Sequence, residues 1–459
     1  MTELKKTKTM KRLFALVIAV LLAMSCTMLM SYADETAKSP SAPAEESAVS
    51  AEESALTETP EDDTATKEEK EESQNIFLSL FSSFTDIKWQ QVLMWVLGAL
   101  LIYLAIKKDM EPALLLPMGF GAILVNLPNS GVVAHEVEEA ISGVAAEVPV
   151  IDLLFDVGIS TELFPLLLFI GIGAMIDFTP LLTNPKLMIF GAAAQFGIFF
   201  TLCLAAFLGF DLTDAASIAI IGAADGPTSI FVAGQLGCKY MGAIIVVAYS
   251  YMALVPIIQP PIIKLCTTKK ERRIRMANGG VQVSKTIKIL FPIVITVIAG
   301  LFAPESLALI GFLMFGNLLR ECGVLDNLSE TAQKVLANLI TLLLGLSVSA
   351  QMTYDAFVQW DTLLILGLGL FAFIFDTVGG IMIAKVYNIF SKKKINPMIG
   401  AAGISAFPMS ARVVHKLGLE EDNQNFLLMH AAGVNVSGQI ASVIAGGLIL
   451  KMFLPLVGG

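Results

Sequence analysis

Long apolar runs constrain this chain more than any other feature. Ten stretches approach the length of a bilayer crossing: 90–106, 112–127, 160–176, 187–210, 241–265, 287–303, 305–320, 334–352, 362–386 and 426–450. Lipid offers backbone N–H and C=O groups no partner, so segments of this length satisfy them internally, as helices. Composition agrees. Of 459 residues, 55% are hydrophobic and 15% charged, with a mean hydropathy of +0.74; soluble domains carry about 25% charged residues. A soluble enzyme and a nucleic-acid binder with a basic face are both excluded. The fold class is an all-α polytopic membrane protein with about ten transmembrane helices.

Residues 1–33 read as a signal peptide or N-terminal anchor. Lys5, Lys6, Lys8, Lys11 and Arg12 precede an apolar stretch, and Ser31-Tyr32-Ala33 offers a small-x-small cleavage site. Cys26 has Ala23, not Leu, three residues upstream, which argues against lipidation. Residues 34–73 hold 14 acids and 3 Lys, a charge of -11 that accounts for the net -10 of the whole chain. Residues 34–74 have almost nothing large to bury, so they are expected to form a disordered acidic tether. Residues 75–159 follow as N-terminal helices, and His135 with Glu136, Glu138 and Glu139 reads as an outer loop. Cys203, Cys238, Cys266 and Cys322 lie in or beside apolar runs without Cys-x-x-Cys spacing and are expected to be buried, inert thiols.

Two further apolar stretches, 215–236 and 395–413, are broken by Gly, Pro and polar residues at their centres. Lys and Arg are retained on the cytoplasmic side. The strong markers are Lys107-Lys108, the six Lys/Arg of 264–275, and Lys392 to Lys394. With the acidic tether outside, all three clusters reach the cytoplasm only if 215–236 dips into the membrane and returns. The chain also repeats: Ile221-Gly222-Ala223-Ala224 recurs as Ile399-Gly400-Ala401-Ala402, and the sequence from Gly191 resembles that from Gly367. The helices 187–210 and 362–386 then run in opposite directions. These features predict an inverted-repeat arrangement with two re-entrant or broken helices. The first repeat is 160–265, a basic cytoplasmic loop and linking helices fill 266–333, and the second repeat is 334–459. Interrupted segments at matching positions mark the ion or substrate site of such folds.

The broken stretches carry the polar groups. A carboxylate inside an apolar segment, Asp225, is costly and functional by default; Gly226-Pro227 frees carbonyls beside it. With Thr228 and Ser229 these oxygens suit an alkali cation or a proton. A simple helix cap is the competing reading of Asp225. The second stretch offers Asn396, Ser405 and Arg412. Arg412 is either the partner of a carboxylate or an interfacial anchor beside Lys416. Asn435 is a mid-span amide, either an ion ligand or an interhelical hydrogen bond. Tyr251 is either a proton relay or a packing residue. Asp177 and Asp376 read as caps or loop contacts near span ends.

Three long motifs resemble a known family. Gly222-Ala-Ala-Asp225-Gly-Pro-Thr228, the run from Ala248 through Tyr251 to Pro261, and the run from Asn396 through Ser405 to Arg412 are similar to the β subunit of sodium-translocating biotin-dependent decarboxylases, which act on oxaloacetate, glutaconyl-CoA or methylmalonyl-CoA. Gly316-Asn-Leu-Leu-Arg-Glu-Cys-Gly323 fits as well, and the resemblance covers about residues 87–455. It implies a membrane subunit that decarboxylates carboxybiotin, consumes a proton and exports Na+. The biotin would be carried on a separate subunit; no Met-Lys-Met tripeptide is present here. A carboxyltransferase, a biotin carrier, a small membrane-anchoring subunit and further β subunits are the implied partners, in the bacterial cell membrane with the tether extracytoplasmic. The resemblance places the sodium and proton carboxylate on Asp225, its second polar site on Ser405 with Asn396 nearby, the ion-site amide on Asn435, and the essential Tyr and Arg on Tyr251 and Arg412. From the residues alone a sodium-coupled symporter of an organic anion would use the same groups.

Overall fold

The structure is a computed structural model and describes residues 87–108, 110–128, 130–133, 149–276 and 283–457. The signal or anchor segment, the acidic tether, Cys26 and the His135 loop lie outside the described residues. Among those described every regular element is helical.

Among the described residues seven helices are long and apolar enough to cross a membrane. α1 is Trp89–Lys108 and α2 is Pro112–Val125. Val150–Phe155 (α3) runs through a π turn to Ser160, then bends by 61° into Leu163–Met175 (α4). Met188–Ala193 (α5) and Phe196–Phe207 (α6) are two halves of one apolar run. Leu212–Ala219 (α7), a 3-10 turn Ile220–Ala223 and Gly226–Gln235 (α8) make up the first broken stretch. Met241–Cys266 (α9), Lys285–Phe302 (α10), Leu307–Glu321 (α11) and Ala337–Val348 (α12) follow. Trp360–Phe390 (α13) is the longest helix; the 3-10 segment Pro397–Gly403, Met409–Glu421 (α14) and Leu428–Phe453 (α15) complete the body.

Three of the ten apolar stretches fall short of a straight span. The 112–127 stretch yields 14 helical residues, 160–176 is one arm of the bent pair, and 305–320 yields 15. At about 1.5 Å per residue these reach roughly 20–23 Å, less than the ~30 Å of hydrocarbon. Neighbours compensate at α4. Asn317 Nδ2 donates to Ile176 O (2.9 Å) and Arg320 donates to Met175 O (2.7 Å), satisfying carbonyls at its C-terminus. The two helices approach closely because both faces are bare: a Cβ on Gly173 would meet Leu313 O at 1.9 Å, and one on Gly316 would meet Ile170 O at 2.1 Å. The Gly316-Asn-Leu-Leu-Arg motif is therefore a helix-packing and capping device.

Each broken stretch is a hairpin with its ends tied together. In residues 211–239, Lys239 Nζ pairs with Asp211 Oδ2 (2.7 Å), and Lys239 N donates to Asp214 Oδ1 (3.1 Å). In residues 396–425, Asn396 and Asn425 both donate to the same carbonyl, Arg272 O, each at 2.8 Å. The two tips meet where Ser405 N donates to Ala223 O (3.0 Å).

Cys203 is exposed on α6, contrary to its expected burial, because it lies on the outward side of that apolar helix; Cys238 is buried, and the four described cysteines are free.

Candidate functional site

The first tip builds the site's charge. The 3-10 turn ends at Ala224, whose backbone is left-handed (φ 53°), and this reversal delivers Asp225 to the N-cap of α8 with its side chain 3% exposed. The partial positive end of α8 faces the acid. Asp225 Oδ2 accepts from Thr228 Oγ1 (2.7 Å), Gln439 Nε2 (2.9 Å) and Ser442 Oγ (3.3 Å). Ser442 is in turn hydrogen-bonded by Ser405. One carboxylate is thus surrounded by hydroxyl and amide groups from α8, α15 and the second tip.

Asn435 also lies here: its Nδ2 donates to Ile404 O (2.7 Å), beside Ser405, and its buried Oδ1 has no hydrogen-bond partner. Among the described residues no three His, Cys, Asp or Glu side chains form a metal-binding group. A single carboxylate, hydroxyls and a free amide oxygen suit a monovalent cation with oxygen ligands better than a soft or highly charged metal.

Of the expected residues, Asp225, Ser405 and Asn435 therefore come together. Asn396 does not join them. It caps the 3-10 segment, accepting from Met398 N (3.1 Å), and its amide donates to Arg272 O and Ile274 O, so it fastens the hairpin to the basic loop. Tyr251 donates to Leu366 O (2.5 Å) on α13. The tyrosine at the site is Tyr249. Its ring packs on Gly226, where a Cβ would fall 2.4 Å from Cζ, and its buried hydroxyl has no partner. Arg412 is exposed on α14, on the same face as Lys416, and forms no ion pair within 4 Å among the described residues. Its charge acts on Glu111 at the start of α2, where burial pushes the carboxyl up and Arg412 opposes the shift.

Sequence reasoning passed over Gln439 and Ser442 as ligands of Asp225. Their signal was present: Asn435, Gln439 and Ser442 stand at i, i+4 and i+7, one polar face of an otherwise apolar helix. Gln259 was also missed; its Nε2 donates to Ala401 O (2.7 Å) and Ser410 Oγ (2.8 Å), steadying the second tip. Asp177 is a local cap, accepting from Thr179 N (2.9 Å), as expected. Asp376 is not: it lies near the middle of the 31-residue α13, as it already did in the 362–386 stretch, and packing against Gly197 and Gly222 buries it fully.

Residues 90–453 match the family described as the Na+-transporting oxaloacetate decarboxylase beta subunit. The chain belongs to this family. It is 45% identical over 415 residues to the oxaloacetate decarboxylase beta chain of Klebsiella pneumoniae, covering 80% of this chain and 96% of that one. It is 47% identical over 385 residues to the methylmalonyl-CoA decarboxylase subunit beta of Propionigenium modestum (81% and 97%). It is 46% identical over 378 residues to the glutaconyl-CoA decarboxylase subunit beta of Acidaminococcus fermentans (82% and 96%). This β subunit is a membrane component of a sodium-pumping decarboxylase, and the symporter reading gives way to it.

Proposed function

We propose that Asp225 is the coupling carboxylate of the pump, where Na+ and a proton compete. The observation that carries this reading is the convergence on one buried acid of Thr228, Gln439, Ser442 and, through Ser442, Ser405. The unpartnered oxygen of Asn435 supplies a further ligand for the cation cargo. An ionised carboxylate and neutral oxygens hold Na+. Protonation removes the charge and releases it.

The tied ends of both hairpins support re-entrant segments within an inverted repeat, entering from opposite faces and meeting at Ala223 and Ser405. The second hairpin is bound to the basic loop, which the charge rule assigns to the cytoplasm. Carboxybiotin, borne on a separate carrier subunit, approaches from that side. The exposed Arg412, which has no ion pair within 4 Å among the described residues, receives its carboxylate, and Tyr249 or Tyr251 helps move the proton that decarboxylation consumes. A carboxyltransferase, a small anchoring subunit and further β subunits complete the assembly in the bacterial membrane. Residues 34–74 form an extracytoplasmic tether.

The test is Asp225→Asn in the complete complex in proteoliposomes, with radioactive sodium uptake and CO2 release measured together. Both are expected to vanish while assembly is retained. Sodium pumping at the wild-type ratio to CO2 would place coupling elsewhere.

A further inference from the structure

α13 carries a second intramembrane acid that the proposed ion site does not use. Asp376 is fully buried; its Oδ1 accepts from Ile198 N of α6 (3.2 Å), and its Oδ2 is buried without a hydrogen-bond partner. That free oxygen faces the turn leading to Asp225, since a Cβ on Gly222 would lie 2.6 Å from it. On the other side, a Cβ on Gly197 would lie 2.6 Å from Oδ1. The carboxyl is wedged between α6 and the first tip.

Burying an ionised carboxylate without a counter-charge is severely unfavourable. No Lys, Arg or His among the described residues pairs with Asp376 or acts on it electrostatically. The surrounding elements supply no cation either. α6 presents Gly197 and Ile198, and the turn presents Gly222. From α9, Tyr251 lies against Gly369 with its hydroxyl on Leu366 O; the second tip presents Gly400 to Gly380. The titratable group the turn leads to is Asp225, three residues beyond Gly222, and it has the same sign. Hard cations are held by a shell of several oxygens, and among the described residues no hydroxyl or amide is hydrogen-bonded to Oδ2 to begin one. A proton needs a single oxygen.

We propose that Asp376 is a second, proton-binding site of the translocation unit. The two acids lie on either side of the 220–223 turn, Asp376 packed against Gly222 and Asp225 just beyond the turn's end. Proton binding by Asp376 stands on its own buried, unpartnered oxygen and does not rest on the proposed role of Asp225.

Infrared spectroscopy of the assembled complex across pH separates the two. Asp376→Asn is expected to remove one protonated-carboxyl C=O band that titrates reversibly, and the band is expected to persist in Asp225→Asn. Loss of no band, or of one that never titrates, overturns the proposal. In proteoliposomes, the sodium concentration for half-maximal turnover is expected to vary with pH in two steps in the native complex and in one step in Asp376→Asn. An unchanged profile overturns the placement of Asp376 in the translocation unit. A fall in sodium moved per CO2 with an unchanged profile makes Asp376 a sodium ligand and overturns the proton assignment. Should Asp376→Asn fail to assemble, isotope-labelled aspartate in the Asp225→Asn complex reports the same band; its absence is equally decisive against the proposal.

Discussion

The two hairpins share a plan and differ in where their charge is placed. The first has an acid at its tip, and its ends are held by Lys239 and Asp211, each 68% exposed. The second has no acid at its tip. Its charges lie at its base, where Arg272 pairs with Glu421 (2.7 Å) at 10% and 12% exposure, Arg275 with Asp422 (2.6 Å) and Lys264 with Glu420 (3.4 Å). Its tip is instead clamped by bare backbone: a Cβ on Gly400 would meet Gly380 O at 2.1 Å, and one on Gly438 would meet Gly403 O at 2.0 Å. The first tip thus carries a buried acid, while the second hairpin is fastened by ion pairs at its base and by close backbone contact at its tip.

The sharpest way to break this comparison is accessibility. Asp211→Cys and Lys239→Cys are expected to label from one side of the membrane, and Lys393→Cys and Asn423→Cys from the other. Labelling of 211 and 239 from opposite sides ends the hairpin symmetry.

Fixation differs next. Arg272→Ala strands Glu421 and removes the bond to Thr267 O (2.5 Å). A loss of about 3–5 kcal/mol is expected, the scale of breaking a buried pair, read as lowered thermal stability of the detergent-purified subunit. Lys239→Ala removes an exposed pair with Asp211 and a long contact (3.9 Å) with the buried Asp214, and is expected to lower stability far less. Equal losses would show that the two bases are equally fastened.

The tyrosines sharpen the chemical side. Tyr249→Phe deletes a buried hydroxyl with no partner, so stability is expected to hold or rise while decarboxylation falls by about 100-fold, the scale of a positioned proton donor. Tyr251→Phe leaves Leu366 O without its donor and is expected to lower stability by about 1–3 kcal/mol. Reversed outcomes would return the proton role to Tyr251.

The smallest expected effect concerns the turn before Asp225. Ala224 is a non-glycine residue in the left-handed region, a conformation costing about 1–2 kcal/mol. Ala224→Gly is expected to raise stability by about 1 kcal/mol, or to leave it level once the unfolded chain's added entropy offsets the relief. A marked loss would mean that the methyl group is needed for packing.

Hydropathy alone identified an all-helical membrane body, and the Gly, Pro and polar interruptions marked both tips. Asp225 was legible because a lone acid in an apolar run needs a reason to be there, and Ser405 and Asn435 followed from the same logic. Asn396 and Tyr251 illustrate the limit. Both stand in the right motif, yet one faces the basic loop and the other faces α13. Tyr249 and Tyr251 are two residues apart on one helix, so they point to nearly opposite sides, and composition cannot tell which side meets Asp225. Asp376 read as a cap or loop contact because a lone acid is most easily accommodated at a helix end, while packing against Gly197 and Gly222 buries it completely in mid-helix. Burial preference and helix breaking are properties of a few neighbouring residues, so the sequence determines them directly. Which oxygen meets which donor depends on backbones brought together from 178 to 217 residues apart, and only the close approach of those helices decided it.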